Sequence, residues 1–212
     1  MEKRNGPKSF TKNMRQHSFI NCNGRLIDLS PPKVMGILNV TPDSFFDGGK
    51  NSNEKEILSH AIKRVEEGVA IIDIGGQSTR PGAKMISAEE EWNRLSVLLP
   101  VLRKELPDSI ISIDTFYSEI AKKAVAHGAD MINDVSGGTI DKEMFNTIGR
   151  IKVPYVLMHI KGIPETMQEQ PHYENVVTEV MDYFTTKIDE LKSRGVVDVI
   201  LDPGFGFAKN LE

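Results

Sequence analysis

Six short apolar runs in this chain each end in a side chain that can do chemistry. Asn39, Asp73, Asp114, Asn133, His159 and Asp202 stand at or beside the carboxyl ends of Val34–Leu38, Val69–Ile74, Ile110–Ile113, Met131–Ile132, Val153–Met158 and Val199–Leu201. Carboxylates and amides suit a neutral heterocycle that offers several N–H donors, because an ionised carboxylate accepts two such bonds side by side. Asp114, Asn133 and Asp202 are the candidates for that grip. Each residue alone reads equally well as a turn or cap, positions that Asn and Asp favour. Six of them at strand ends argue for one shared rim.

The stretch Asp73-Ile-Gly-Gly-Gln-Ser-Thr-Arg-Pro-Gly82 adds donors suited to phosphate: two glycines that free backbone N–H groups, then Ser78, Thr79 and the planar fork of Arg80. By itself such a stretch is as well read as a solvated turn. A transition-metal cluster competes for the same residues, but no His-x-x-x-His or Glu-x-x-His spacing supports one. The metal that fits is magnesium, held through one protein oxygen and the phosphates of a substrate.

Bringing six strand ends to one mouth requires parallel strands with helical returns, and the pattern from Lys33 onward provides them: β-branched runs alternate with longer amphipathic stretches. Ile57, Leu58, Ala61, Ile62 and Val65 share one helical face, as do Val176, Val177, Val180, Met181, Phe184, Ile188 and Leu191, and both stripes read as core. Gly68, Gly128 and Gly195 end helical stretches just before strands. Ahead of the first parallel strand, Phe19–Asn21 and Arg25–Leu29 flank Cys22-Asn23-Gly24, a hairpin signal that predicts a cap on the bottom of a barrel.

The fold predicted is α/β, a TIM (β/α)8-type barrel that is incomplete, with about six βα units and an N-terminal β-hairpin. Eight units need about 250 residues, and the 212 here end after a sixth strand and a glycine-rich loop. The reading gives one domain over residues 18–212, lacking two βα units, after a frayed or disordered start at 1–17. An open six-stranded remnant predicts poor stability or aggregation of the chain alone. A doubly wound sheet is the rival architecture.

With 26 basic and 30 acidic residues the formal charge is -4, so no broad cationic surface is available for nucleic acid. The polar start contains no run long enough to be a signal-peptide core or a membrane span, and the single cysteine, Cys22, suits a reducing compartment. The expected location is the cytoplasm.

Gly36-Ile-Leu-Asn-Val-Thr-Pro-Asp-Ser-Phe-Phe-Asp-Gly-Gly49 makes a specific resemblance visible. The chain is similar to the dihydropteroate synthase family of pterin-binding barrels. The resemblance rests on Asn39-Val-Thr-Pro-Asp-Ser-Phe45 and Gly75-Gly-Gln-Ser-Thr-Arg-Pro-Gly82, followed in order by Ile113-Asp-Thr115, Ile132-Asn-Asp-Val135, Met158-His-x-Lys-Gly162 and Asp202-Pro-Gly-Phe-Gly-Phe207. It implies a transferase of folate biosynthesis, a target of sulfonamides, that joins (7,8-dihydropterin-6-yl)methyl diphosphate to para-aminobenzoate. It further implies that Asn39 meets Mg2+ or diphosphate, that Thr79 and Arg80 meet the diphosphate, that Asp114, Asn133, Met158 and Asp202 hold the pterin, and that Phe207 borders the aminobenzoate.

A homodimer is implied for the full-length protein, with neither nucleic acid nor membrane as partner. Gln77 stands where the family often has glutamate and Ala208 where it often has glycine. No residue corresponds to the family's later lysine, arginine and histidine, which predicts little turnover by this chain alone. The stretches Thr41–Asn51 and Gln77–Ser87 are expected to order only around substrates. Two other readings compete: a methyltransferase barrel, which the Asn39 to Phe45 motif and Arg80 disfavour because methyl transfer has no diphosphate to receive, and a noncatalytic pterin binder.

Overall fold

Asn23 and Gly24 both adopt positive φ, 54° and 88°, so the chain reverses in a two-residue turn of the kind that matches strand twist. The turn joins β1 (Phe19–Cys22) to β2 (Arg25–Asp28) as an antiparallel pair with Cys22 opposite Arg25. The computed structural model describes residues 18–40, 50–78, 84–162 and 172–209. The start at 1–17 and most of the two stretches expected to order around substrates (41–49 and 79–83) lie outside them.

Six parallel strands follow: β3 (Met35–Asn39), β4 (Ile71–Gly75), β5 (Ile110–Asp114), β6 (Met131–Asp134), β7 (Tyr155–Met158) and β8 (Val199–Asp202). They pair strictly in chain order, β3-β4-β5-β6-β7-β8. A doubly wound sheet reverses its order at a switch point, so this succession decides for barrel-type winding. Among the described residues β3 and β8 form the edges, and the barrel is not closed. The helices α1 (Lys50–Glu66), α2 (Ala88–Glu105), α3 (Ser118–Ala126), α4 (Met144–Ile151) and α5 (Val176–Ser193) provide the returns. Gly68, Gly128 and Gly195 follow α1, α3 and α5 in left-handed conformation, as their spacing predicts.

Strand alternation divides the core in two. One set (Ile72, Ile74, Ile111, Ile113, Ile132, Leu157) packs against the helices with Leu95, Leu99, Leu102, Ile120 and Ile148. The other set faces inward and begins apolar: Ile71, Ile110, Met131 and Val156 bury themselves with Ile20 and Cys22 of the hairpin. The hairpin thus covers the amino ends of the strands, as expected. Arg25 ties it there, pairing with buried Asp130 at 3.0 Å and donating to the Asp108 carbonyl at 3.0 Å, while Arg103 also bonds Asp130. Burial pushes the Cys22 thiol up to about 12, which makes it an inert core residue.

One helical stripe departs from expectation. Phe184 and Leu191 of α5 are buried, but Val176, Val177 and Met181 are exposed. Helical periodicity reports an apolar face, and only packing reports whether an element covers it; α5 has neighbours along part of its stripe.

Candidate functional site

Continuing along the inward face, four of the strands change from apolar to polar, while β7 stays apolar from Val156 to Met158. On β4, Ile71 gives way to Asp73 and Gly75; on β5, Ile110 to Ser112 and Asp114; on β6, Met131 to Asn133; on β8, Ile200 to Asp202. The parallel register sets Asn39 beside Gly75, Gly75 beside Asp114, and Asp114 beside Asn133, with Met158 beside Asp202 further round. Five residues predicted from the sequence, Asn39, Asp114, Asn133, Met158 and Asp202, therefore share one face and one end of the sheet. Gly75 lies between Asn39 and Asp114: a Cβ there would stand in ordinary contact, 3.5 Å, with both Asn39 Oδ1 and Asp114 Oδ2.

Asp73 lies one layer below the rim and is buried; its Oδ2 accepts from Asn133 Nδ2 at 2.9 Å. That bond orients the Asn133 amide with its oxygen free, and Asn133 Oδ1, Asp114 Oδ1 and Asp73 Oδ1 are all buried without a hydrogen-bond partner. Burial, then the charges of Asp73, Glu91 and Asp134, hold the Asp114 carboxyl well above the usual carboxylate range. Asp73 is also raised by burial, with Ser112 and Asn133 pulling it back. Neighbouring carboxyls of this kind resist carrying full charge together until donors arrive. The rim is a set of acceptors awaiting N–H groups.

His159 corrects the expectation of six polar side chains on one rim. Alternation along β7 turns Met158 inward and His159 outward, where its ring meets Tyr183 edge-on at 4.9 Å. Lys209 Nζ donates to His159 Nδ1 at 3.0 Å, and burial together with Lys209 pulls the imidazole down to about 4. Lys209 also donates to the carbonyls of Gly204 at 3.1 Å and Phe207 at 3.0 Å, which laces the segment after β8 to β7. His159 is therefore a neutral acceptor in a brace.

The brace sets Phe207. Gly204 turns the chain at φ +64°, donates to Asp202 Oδ1 at 2.8 Å, and approaches so closely that a Cβ would meet the His159 carbonyl at 2.4 Å. Phe207 then packs, half-buried, on the cluster of Phe116, Val135, Met158, Ile160 and Ala208. An aromatic wall beside Met158 adjoins the acceptor rim. Thr79 and Arg80 lie outside the described residues.

Sequence reasoning missed two parts. Ser112 was legible, since it falls in step between Ile110 and Asp114. Glu91 was not: it is the third of three consecutive glutamates, and burial of that one alone follows from the rotation of α2. It accepts from Gln77 Nε2 at 3.1 Å, and burial raises it to about 7. Among the described residues no group of three or more His, Cys, Asp or Glu is arranged to hold a metal ion, and no helix is long and apolar enough to cross a membrane.

A parallel βα sheet with an apolar floor and an inward rim of carboxylate and amide acceptors defines the class as a barrel-type α/β fold with a polar mouth. The family model described as pterin binding enzyme matches residues 35–212, and the chain belongs to that family. The dihydropteroate synthase of Synechocystis is 46% identical over 181 residues, covering 84% of this chain and 62% of the relative. The chain thus spans somewhat less than two thirds of that relative's length. Among solved structures, the Xanthomonas albilineans dihydropteroate synthase with 4-aminobenzoic acid superposes with a TM-score of 0.83 at 39% identity, covering 92% of this chain and 69% of that one. The same enzyme in complex with 7,8-dihydropteroate gives 0.77 at 35% identity, covering 91% and 68%.

Proposed function

We propose that this chain forms the pterin-holding part of a dihydropteroate synthase, which condenses (7,8-dihydropterin-6-yl)methyl diphosphate with para-aminobenzoate to give 7,8-dihydropteroate and diphosphate. The observation that carries the reading is the pair of buried acceptor oxygens on one rim, Asp114 Oδ1 and Asn133 Oδ1, each without a partner, with Asp73 Oδ1 one layer below them. Family membership and the relatives solved with aminobenzoate and dihydropteroate support it.

In this reading Asp114 and Asn133 accept the amide-like N–H edge of the pterin, Asp202 closes the opposite side and Met158 covers a face. The carbon–oxygen bond to diphosphate breaks as the amine nitrogen bonds to the methylene carbon, and the amine's proton leaves to solvent. Thr79 and Arg80 neutralise the departing diphosphate, and Phe207 flanks the aminobenzoate. No protein nucleophile is required, which agrees with the buried, raised thiol of Cys22. Magnesium fits Asn39, an exposed side chain whose hard amide oxygen stands at the rim next to Gly75. When bound it would stabilise charge on the diphosphate.

Calorimetric titration with the dihydropterin methyl diphosphate tests the proposal. Binding should release a proton, seen as a heat that varies with buffer, because N–H donors favour the ionised form of a carboxyl that the empty rim holds high. Absence of pterin binding by the wild-type chain would refute the reading, and assay of dihydropteroate formed from both substrates tests the chemical step.

A further inference from the structure

The segment after β8 that carries Phe207 has positive φ at Gly204, Gly206 and Ala208: 64°, 90° and 49°. Strand pairing does not impose such a backbone, and the Ala208 value is strained for a residue with a Cβ, so contacts from elsewhere in the fold must hold it. Lys209 reaches out to His159 from within the segment. A second contact comes from outside. Tyr173, in the residues that lead into α5, donates its Oη to the Ala208 carbonyl at 2.8 Å. Ala208 follows Phe207 directly and is buried in the same cluster.

Tyr173 is itself held in place. Lys161, just past β7, stands 3.7 Å over the Tyr173 ring, donates to the His172 carbonyl at 2.7 Å, and forms an ion pair with Glu179 in the first turn of α5. The other Glu179 oxygen accepts the N–H groups of Glu174 at 2.8 Å and Asn175 at 3.3 Å. The bond from Lys161 pulls the Glu179 carboxyl below its usual range, so the pair is charged. An ion pair this exposed adds little stability by itself. What it does is fix where the ring stands, because one ammonium grips the ring, the residue before it and the start of the helix that follows.

We infer that Tyr173, clamped by Lys161 and Glu179, is a positioning residue that fixes the aromatic wall at Phe207 through the Ala208 carbonyl. The inference deepens the proposed function, since it rests on the reading that Phe207 flanks the aminobenzoate. It assigns Tyr173 no contact with substrate.

Variants of the chain separate this role from simple packing. Tyr173→Phe keeps the ring beneath Lys161 and removes the hydroxyl; Lys161→Met keeps the length and removes the charge; Lys161→Arg keeps the charge. The Phe207 N–H donates to the Gly204 carbonyl at 3.0 Å, so its hydrogen exchange reports on the wall. Exchange there should quicken about fivefold in Tyr173→Phe and in Lys161→Met, with no further gain in the double variant, and stay within about twofold of wild type in Lys161→Arg. The Ile132 amide, bonded to the Pro154 carbonyl at 3.0 Å, should stay within about twofold in all of them. In titrations of the chain saturated with the dihydropterin that lacks diphosphate, affinity for para-aminobenzoate should fall about fivefold in Tyr173→Phe, while affinity for the dihydropterin itself changes less than about twofold. Unchanged Phe207 exchange in Tyr173→Phe, an equal quickening at Ile132, additive effects in the double variant, or equal loss for both ligands would overturn the inference. A wild-type chain that takes up the dihydropterin but no aminobenzoate would instead count against placing aminobenzoate beside Phe207, and the exchange comparison would still decide whether Tyr173 holds the wall.

Discussion

At the amino ends of the strands Ile71, Ile110, Met131 and Val156 close against Ile20 and Cys22, and Asp130, the buried charge below them, is met by Arg25, Arg103 and the Ile111 N–H. At the carboxyl ends of the same strands, two to four residues later, Asp73, Asp114 and Asn133 keep oxygens with no partner. One sheet therefore has an end that satisfies its own groups and an end that leaves several of them unpaired. The difference teaches where stability resides and where it is given up for binding, because an unmatched buried acceptor costs about 1–3 kcal/mol.

The sharpest break of that contrast is a charge at the floor. Ile110→Asp would bury a carboxylate among Ile20, Cys22, Ile71 and Met131 with no designed partner, and should lower stability by about 4 kcal/mol or more, read from denaturant unfolding. The carboxyl at the other end, Asp114, is likewise buried and is held well above the usual carboxylate range by burial and by Asp73, Glu91 and Asp134.

Glu91 gives the next largest effect. Its folded value of about 7 exceeds its ordinary 4.5, so the folded chain binds more protons between those limits. Stability should rise as pH falls from 7 to 4.5, by about 3 kcal/mol in the limit. Arg94 is the cation beside Glu91, and Asp114 and Tyr117 are the acidic groups that its charge raises. Glu91→Gln should flatten this part of a pH series of unfolding curves, and an unaltered series would show that the carboxylate is not strained.

Asp114→Asn sharpens the comparison through opposite signs. It removes a carboxyl raised by burial and by three neighbouring acids, so the unfolding midpoint at neutral pH should increase. Pterin affinity should fall by about 2 kcal/mol, since an amide accepts only one of two paired N–H donors. A variant that lost both stability and affinity would mark Asp114 as structural.

The smallest effect lies at Ala208, buried in left-handed conformation at φ 49°. Ala208→Gly should gain about 0.5–1 kcal/mol in the melting transition by relieving its Cβ. The site it braces, through Tyr173 Oη to the Ala208 carbonyl at 2.8 Å, would be unchanged.

Much of this was legible along the chain. The strands follow from β-branched runs, the hairpin from Asn23-Gly24 and the helix ends from Gly68, Gly128 and Gly195, because each is a local backbone preference. That Asn39, Asp114, Asn133 and Asp202 share one end of the sheet was legible because a parallel βα repeat carries every strand end to one side.

What the sequence determined by itself is thus the list of elements and the chemical types at their ends, since both depend on neighbours a few residues apart. Tertiary structure alone decided that Met158 rather than His159 faces the rim, that Glu91 rather than Glu89 or Glu90 is buried, and that Val177 and Met181 stay exposed. Those outcomes depend on which face an element turns to its neighbours, and on how much of that face they cover. Periodicity specifies a face, and only the packed fold gives it a partner.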